Sequence, residues 1–332
     1  MTDGPSVVPA VAIVGAGSIG AAWAIVFARS GSAVDLTDSD AGARAAALGR
    51  IERRLQELRR SDLLEEHPAA VLARITVVAS TAEAVAGAGW VQECVVEDVE
   101  VKGALFAELD ALADPEAVLA SSTSMIACSR WADGLAGRAR CVVVHPGNPP
   151  YLLPVAEIVP APFTSDDTVE RARTVLAAAG MTPVVVHGEP EGFVFNRLQG
   201  ALLREAYCLV RDGVASAADI DRVVADGLGR RWAVIGPFAT AQLNTRGGIR
   251  RHAQVMGPAY ARMGAERGQH DPWTDELVAT VADDLADRLP DAGWEEQVVR
   301  RDEALIQLER ARRAAAGLFG SFDESASRTP AP

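Results

Sequence analysis

The sequence predicts an α/β fold: an N-terminal Rossmann-type doubly wound sheet followed by an all-helical C-terminal domain. Three observations carry this. Short β-branched runs alternate with helical patterns up to residue 190, a Gly-x-Gly-x-x-Gly turn joins the first run to the first helix, and no convincing strand follows His187-Gly188-Glu189-Pro190. Strands separated by helices imply βαβ crossovers and a largely parallel sheet covered on both faces. The expected division is residues 1–190, residues 191–320, and a mobile Ser-, Pro- and Asp-containing tail at 321–332. A length of 332 residues suits about two domains.

The elements follow in order. Val11–Val14 is an apolar strand, Gly15–Gly20 the glycine turn, Ala21–Ser30 a helix, and Val34–Leu36 a second strand. Ala43–Arg60 repeats apolar residues at helical spacing, with Ile51, Leu55 and Leu58 on one face. Further strands are expected at Ile75–Val78, Trp90–Cys94, Val118–Ala120, Cys141–Val144, Ala156–Val159 and Val184–Val186. Beyond the boundary, Gly192–Asp212, Ser216–Asp226 and much of Gly248–Arg313 read as helices. Ser216 with Asp219 is expected to cap one of these, and Gly227 and Gly229 to stop it.

Composition narrows the function classes. The net charge is −13 with no basic block, which argues against nucleic acid or an anionic membrane as partner. No apolar run approaches the roughly 20 residues of a membrane helix, and the N-terminus lacks a secretory pattern. Cys94, Cys128, Cys141 and Cys208 are scattered, with no Cys-x-x-Cys pair. They suggest reduced thiols in the cytoplasm rather than a zinc site or disulfide scaffold. No His/Asp/Glu cluster has metal-ligand spacing.

Gly15-Ala16-Gly17-Ser18-Ile19-Gly20 follows a strand and opens a helix. Gly15 permits the tight turn, Gly17 lets the backbone approach a pyrophosphate, and Gly20 lets helix and strand pack closely. Ser18 and Ile19 lie where the helix N-terminus offers N–H groups to the phosphates. Asp38, 23 positions after Gly15, is placed to accept hydrogen bonds from the adenosine ribose and to repel a 2′-phosphate, which predicts NAD over NADP. Asp40 is a rival and Asp35 a weaker one. No Arg lies in Leu36–Asp40.

Hydride transfer from an alcohol needs a base, a group to orient it, and donors near the oxygen. His145 closes the strand Cys141–Val144 and precedes Pro146-Gly147-Asn148-Pro149-Pro150; Glu157 lies within Val155–Val159. If those strands are neighbours, Glu157 orients the imidazole; the alternative is a structural His beside a surface Glu. Ser121-Ser122-Thr123-Ser124 supplies hydroxyls at a strand end, or merely caps a turn. Asn196, at the head of the first helix past the boundary, either faces a cleft or packs. His67, His187, His252 and His270 have no comparable context.

The stretches VAIVGAGSIGAAWAIVFA, VQECVVEDVEVKGALFAELD, SSTSMI, HPGNPPYLLPVAEIVP, GFVFNRLQGALLREA and GLGRRWAVIGPF together resemble the 3-hydroxyacyl-CoA dehydrogenase superfamily, and within it the gulonate 3-dehydrogenase (lambda-crystallin) branch. The resemblance runs from Val11 to about Gly248. It implies an NAD-binding Rossmann domain and a helical C-terminal domain that builds a homodimer. On matching positions it implies His145 as general base, Glu157 as its partner, Ser124 and Asn196 near the substrate hydroxyl, and Glu97 and Lys102 along the cofactor. Gly147 replaces a larger residue and is expected to loosen the pocket floor; Ala156 stands where Val is usual.

Pro149–Pro154 and Arg230-Arg231 resemble the gulonate and carnitine dehydrogenases rather than the acyl-CoA members. With no Lys/Arg-rich patch expected near the His motif, a small L-gulonate-like 3-hydroxy acid is the expected substrate, bound by Ser124, Asn148, Asn196 and Arg231. The alternatives are a 3-hydroxyacyl-CoA dehydrogenase, a carnitine-dehydrogenase-like enzyme, and a non-catalytic NAD-binding protein.

Overall fold

The computed structural model describes residues 8–300 and 311, except 62, 269–273, 287–288, 291, 295 and 298–299. The expected tail at 321–332, His270, and the helical reading beyond 300 (apart from 311) lie outside the described residues. The chain forms two compact units that divide between Arg204 and Glu205.

The first unit is an alternating series: β1 (Val11–Val14), α1 (Ser18–Arg29), β2 (Val34–Thr37), α2 (Ala41–Arg60), α3 (Pro68–Leu72), β3 (Ile75–Val77), α4 (Thr81–Val85), β4 (Trp90–Glu93), α5 (Val99–Leu112), β5 (Val118–Ser121), α6 (Ser129–Ala132), β6 (Cys141–Pro146), β7 (Val155–Val159), α7 (Asp166–Ala178) and β8 (Thr182–Val185). They form one eight-stranded sheet in the order β3-β2-β1-β4-β5-β6-β7-β8. β1 is central and wholly buried. Val11 and Ile13 pack with Trp23, Phe27, Ile51 and Leu55, whereas Ala12 and Val14 pack with Phe106 and Leu109. This two-sided burial is why β1 is continuously apolar rather than alternating.

Several boundaries differ from expectation for identifiable reasons. α1 starts at Ser18, so the last three residues of the glycine motif are already helical. α2 starts at Ala41 because the Asp40 carboxylate caps it, accepting from the Ala43 N–H at 2.9 Å. β6 runs on through His145 and Pro146, which pair with Glu157 and Ala156 of β7. β7 is antiparallel to β6, the one such pairing in an otherwise parallel sheet.

α8 (Phe195–Arg211) carries the chain from the first unit into the second. The second unit continues with α9 (Ala217–Arg222), a π-helical turn at Val223–Leu228, α10 (Gly229–Trp232), α11 (Pro237–Asn244), α12 (Gly248–Glu266) and α13 (Asp275–Ala286). The expected cap is present: Ser216 Oγ accepts from the Asp219 N–H at 3.1 Å. The expected stop at Gly227 and Gly229 is corrected, since the helix continues through both by widening its turn. A Cβ on Gly229 would lie 2.9 Å from the Val224 carbonyl oxygen, so glycine admits the π turn. Arg267, just past α12, pairs with Glu205 at 3.0 Å and Asp212 at 2.7 Å. Among the described residues no helix is long and apolar enough to cross a membrane.

Candidate active site

The glycine turn has the shape its sequence requires. Gly15 has φ +110°, and a Cβ there would lie 2.5 Å from the Cys94 carbonyl oxygen. A Cβ on Gly20 would lie 1.8 Å from the Gly15 carbonyl oxygen. Gly17, by contrast, faces open space, and no side chain caps the α1 N-terminus there. A backbone free to be approached, leading into uncapped helical N–H groups at Ser18 and Ile19, fits a dinucleotide pyrophosphate. Of the three candidate acids only Asp38 joins this turn, its carboxylate accepting from the Ala16 N–H at 2.7 Å and the Asp40 N–H at 2.9 Å. Asp40 is committed to capping α2. Asp35 lies in β2, where burial raises its pKa. The two arginines that reach the region escaped a reading of neighbouring positions because α2 brings them back. Arg44 donates to the Asp38 carbonyl at 2.5 Å, and Arg50 to the Ala16 carbonyl at 2.6 Å.

His145 and Glu157 sit directly opposite each other across β6 and β7. The imidazole Nδ1 lies 2.7 Å from Glu157 Oε2. The other carboxylate oxygen accepts from the backbone N–H of Val194 at 2.8 Å and of Phe195 at 2.9 Å. Those N–H groups are aimed by a turn in which Gly192 (φ +76°) and Phe193 (φ +51°) are both left-handed, an uncommon conformation for Phe. Burial pushes the Glu157 carboxyl up, but the bonds from His145, Phe195 and Val194 outweigh it and hold its pKa below the ordinary value. His145 is 8% exposed and Glu157 3%, and the imidazole lies beside the rings of Phe193 and Phe195.

The serine cluster is divided in its contacts. Ser121 Oγ donates to Glu93, and Ser122 Oγ accepts from Trp23 Nε1 and Gln92 Nε2. Ser124 is held by Glu97, whose Oε1 accepts from Thr123 Oγ1 at 2.6 Å, the Ser124 N–H at 2.9 Å and the Met125 N–H at 3.1 Å. Burial pushes the Glu97 carboxyl up, and these donors together with Lys102 bring it below its ordinary value. Asn196 Nδ2 donates to the Ser124 carbonyl at 2.9 Å. The loop after β5, the residue pair before α5 and the start of α8 are therefore brought together.

Lys102 is more enclosed than a residue lying along a cofactor. It is 1% exposed, its Nζ lies 2.9 Å from both Glu93 oxygens, and Glu97 stands 3.5 Å away. Glu93 is the residue that sequence reasoning missed. It is fully buried and also accepts from Ser121 Oγ at 2.5 Å and the Val95 N–H at 2.7 Å. Its one sequence signal is an acid ending an apolar strand, which is costly unless paired.

Gly147 is corrected as well. It does not loosen a floor: a Cβ would lie 3.0 Å from both Leu153 Cβ and the Leu153 carbonyl oxygen, so the glycine serves the chain reversal between β6 and β7. Two arginines reach the segment after the His motif: Arg29 donates to the Tyr151 carbonyl at 3.1 Å and Arg54 to its hydroxyl. Both guanidiniums are used on the protein itself. Asn148 is exposed. Arg230 is ion-paired to Asp226 at 2.8 Å, whereas Arg231, half-buried, has no ionic partner among the described residues. Among those residues no His/Cys/Asp/Glu cluster could hold a metal ion.

Fold and glycine turn together define an NAD-dependent oxidoreductase. The family model described as 3-hydroxyacyl-CoA dehydrogenase, NAD binding domain, matches residues 10–189, and its C-terminal domain matches residues 192–283. The chain belongs to the 3-hydroxyacyl-CoA dehydrogenase family. It is 37% identical to a lambda-crystallin of Oryctolagus cuniculus over 308 residues, covering 91% of this chain and 96% of that protein. It is 36% identical to an L-carnitine dehydrogenase of Oceanobacillus iheyensis over 299 residues, covering 90% and 96%. Among solved structures, a 3-hydroxyacyl-CoA dehydrogenase of Archaeoglobus fulgidus aligns with a TM-score of 0.71 at 27% identity, covering 91% of this chain and 98% of that one. The cofactor is NAD and the chemistry is oxidation at a CH–OH centre of a small hydroxy acid or hydroxyacyl thioester.

Proposed function

We propose that the enzyme oxidises the 3-hydroxyl of a small free 3-hydroxy acid of the L-gulonate type, with His145 as the general base. The carrying observation is the 2.7 Å bond between His145 Nδ1 and Glu157. With Nδ1–H donating to the carboxylate, Nε2 keeps the lone pair that accepts the substrate's hydroxyl proton. Glu157, kept ionised by the Val194 and Phe195 N–H groups, then stabilises the imidazolium. Bound NAD supplies the acceptor for the C3 hydride. Ser124 and Asn196, tied to one another, are assigned to the substrate oxygen. Asp38 is assigned to the adenosine ribose, and Glu97, backed by Lys102 and Glu93, to fixing the Ser124 loop beside the nicotinamide end.

The free-acid preference is supported by the likeness to an L-carnitine dehydrogenase, since carnitine is itself a small 3-hydroxy acid with a free carboxylate. Arg231, which has no ionic partner among the described residues, is assigned to that carboxylate. One charge-assisted bond contributes about 1.5–3 kcal/mol, so Arg231→Met should raise KM about 10- to 150-fold with NAD affinity unchanged. The second reading, a CoA thioester, is supported by the likeness to the Archaeoglobus fulgidus enzyme. The deciding test compares kcat/KM for L-gulonate, L-carnitine and 3-hydroxybutyrate with that for 3-hydroxybutyryl-CoA. A tenfold advantage for the thioester establishes the second reading.

The same proposal includes a homodimer formed through the helical domain. α8 has a strongly apolar face but no buried residue: Leu198, Leu202, Leu203, Val210 and Tyr207 are all exposed, the last to 75%. A contiguous apolar face of this kind marks an interface. Sedimentation showing a monomer at micromolar concentration contradicts it. We place the enzyme in the cytoplasm, a reading supported by its four unpaired cysteines.

A further inference from the structure

We propose that Arg44 is a second determinant of cofactor choice: a guanidinium already seated behind the ribose-binding carboxylate, which Asp38 alone keeps from serving a 2′-phosphate. The inference rests on the assignment of Asp38 to the adenosine ribose.

Arg44 lies in the first turn of α2. Its side chain folds back past the Asp40 cap, so that Nη1 donates to the Asp38 carbonyl at 2.5 Å and the Ser39 carbonyl at 3.2 Å. Both acceptors are neutral backbone oxygens, and no carboxylate accepts from this guanidinium among the described residues. Its charge is felt locally: after the N–H donors of Ala43 and Gly42, it helps to hold the Asp40 carboxyl below its ordinary value. Asp38 is fixed just as firmly, each carboxylate oxygen taking one backbone N–H, from Ala16 and Asp40. A fixed anion and a fixed cation thus share the backbone of a single residue at the end of β2.

These two groups oppose each other in cofactor discrimination. The carboxylate accepts from ribose hydroxyls and repels a 2′-phosphate, while an arginine close to that ribose is what accommodates the phosphate in NADP-using relatives of this fold. Arg44 cannot contribute to rejecting NADP; it works against rejection. The preference for NAD therefore depends on the charge of Asp38, not on the shape of the pocket. Neutralising that charge should invert the preference rather than merely abolish it.

The test uses ligands without a nicotinamide, so that binding is read directly by calorimetry on the full chain. The probes are 5′-AMP and 2′,5′-ADP. The wild-type protein should bind 5′-AMP at least tenfold more tightly than 2′,5′-ADP. Asp38→Asn keeps an oxygen for the Ala16 N–H and loses the charge. It should bind 2′,5′-ADP about tenfold more tightly than 5′-AMP, and Asp38→Ser is a second route to the same result. Adding Arg44→Ala to Asp38→Asn should erase that advantage. Retention of the 2′,5′-ADP advantage in the double variant, or no gain in either Asp38 variant, overturns the role of Arg44. Failure of the Asp38 assignment looks different: the wild-type protein then binds both probes equally.

Discussion

Two buried acid–base pairs stand at the same sheet and serve different ends. Glu93 and Lys102, from the end of β4 and the first turn of α5, are 0% and 1% exposed, and every oxygen of the acid is bonded within the protein. His145 and Glu157 are equally well paired, but the imidazole retains 8% exposure and one ring nitrogen outside the pair. The first pair is closed and holds the ends of β4 and β5 and the start of α5 together. The second engages only one ring nitrogen, which leaves the other for the proton transfer proposed above. On the proposed reading, enclosure rather than the presence of charge separates the two pairs.

The largest effect should come from the open pair. His145→Gln removes the base and is expected to lower kcat by about 10²–10⁴, the usual contribution of a positioned acid–base group, with the melting temperature almost unchanged. Stopped-flow or steady-state NADH formation at saturating substrate checks it. Near-normal kcat places the base elsewhere.

The closed pair should respond in stability. Lys102→Met leaves Glu93 buried without its counter-charge, a loss expected to cost about 3–5 kcal/mol. Glu93→Gln with Lys102→Met removes both charges and should recover much of that loss, because a matched neutral pair carries no uncompensated ion. Urea unfolding of the three proteins reads the difference. If the double variant is less stable than Lys102→Met, the pair is not the closed electrostatic unit described here.

The same contrast explains what the sequence made legible. The glycine turn, Asp38 and the strand alternation are local patterns, and each chemical requirement falls within a few consecutive residues. His145 and Glu157 were legible as a pair only on the condition that their strands were neighbours, a condition that β6 and β7 meet in antiparallel register. Glu93 was invisible because its three donors come from β5, α5 and the turn after its own strand. The contacts of Arg29, Arg44, Arg50 and Arg54 were hidden for a related reason: helices return them to the nucleotide turn and to Tyr151 from up to 122 positions away. Gly147 and Gly229 read as a loosened floor and a helix stop, yet each admits a close backbone approach that only tertiary packing reveals. Sequence spacing conveys chemistry that is local; contacts assembled by packing have to be seen.

The smallest effect tests whether the open pair also contributes to stability. The folded-state pKa of Glu157 lies below its ordinary value of 4.5. Below that ordinary value the unfolded chain binds more protons at this site than the folded one, so the site's contribution grows as pH rises through the window. It is fully present above about pH 4.5 and is lost as pH falls through the lowered folded value. Glu157→Gln has no such titration, while Glu97, whose carboxyl is also held low, remains in both proteins and cancels in the comparison. The stability gap between wild type and Glu157→Gln, measured by urea unfolding, should therefore hold above about pH 4.5 and close as the solution is made more acid. Should the gap stay constant through the acid range, Glu157 contributes by shape and hydrogen bonding alone, and its charge matters only to the imidazolium formed in turnover.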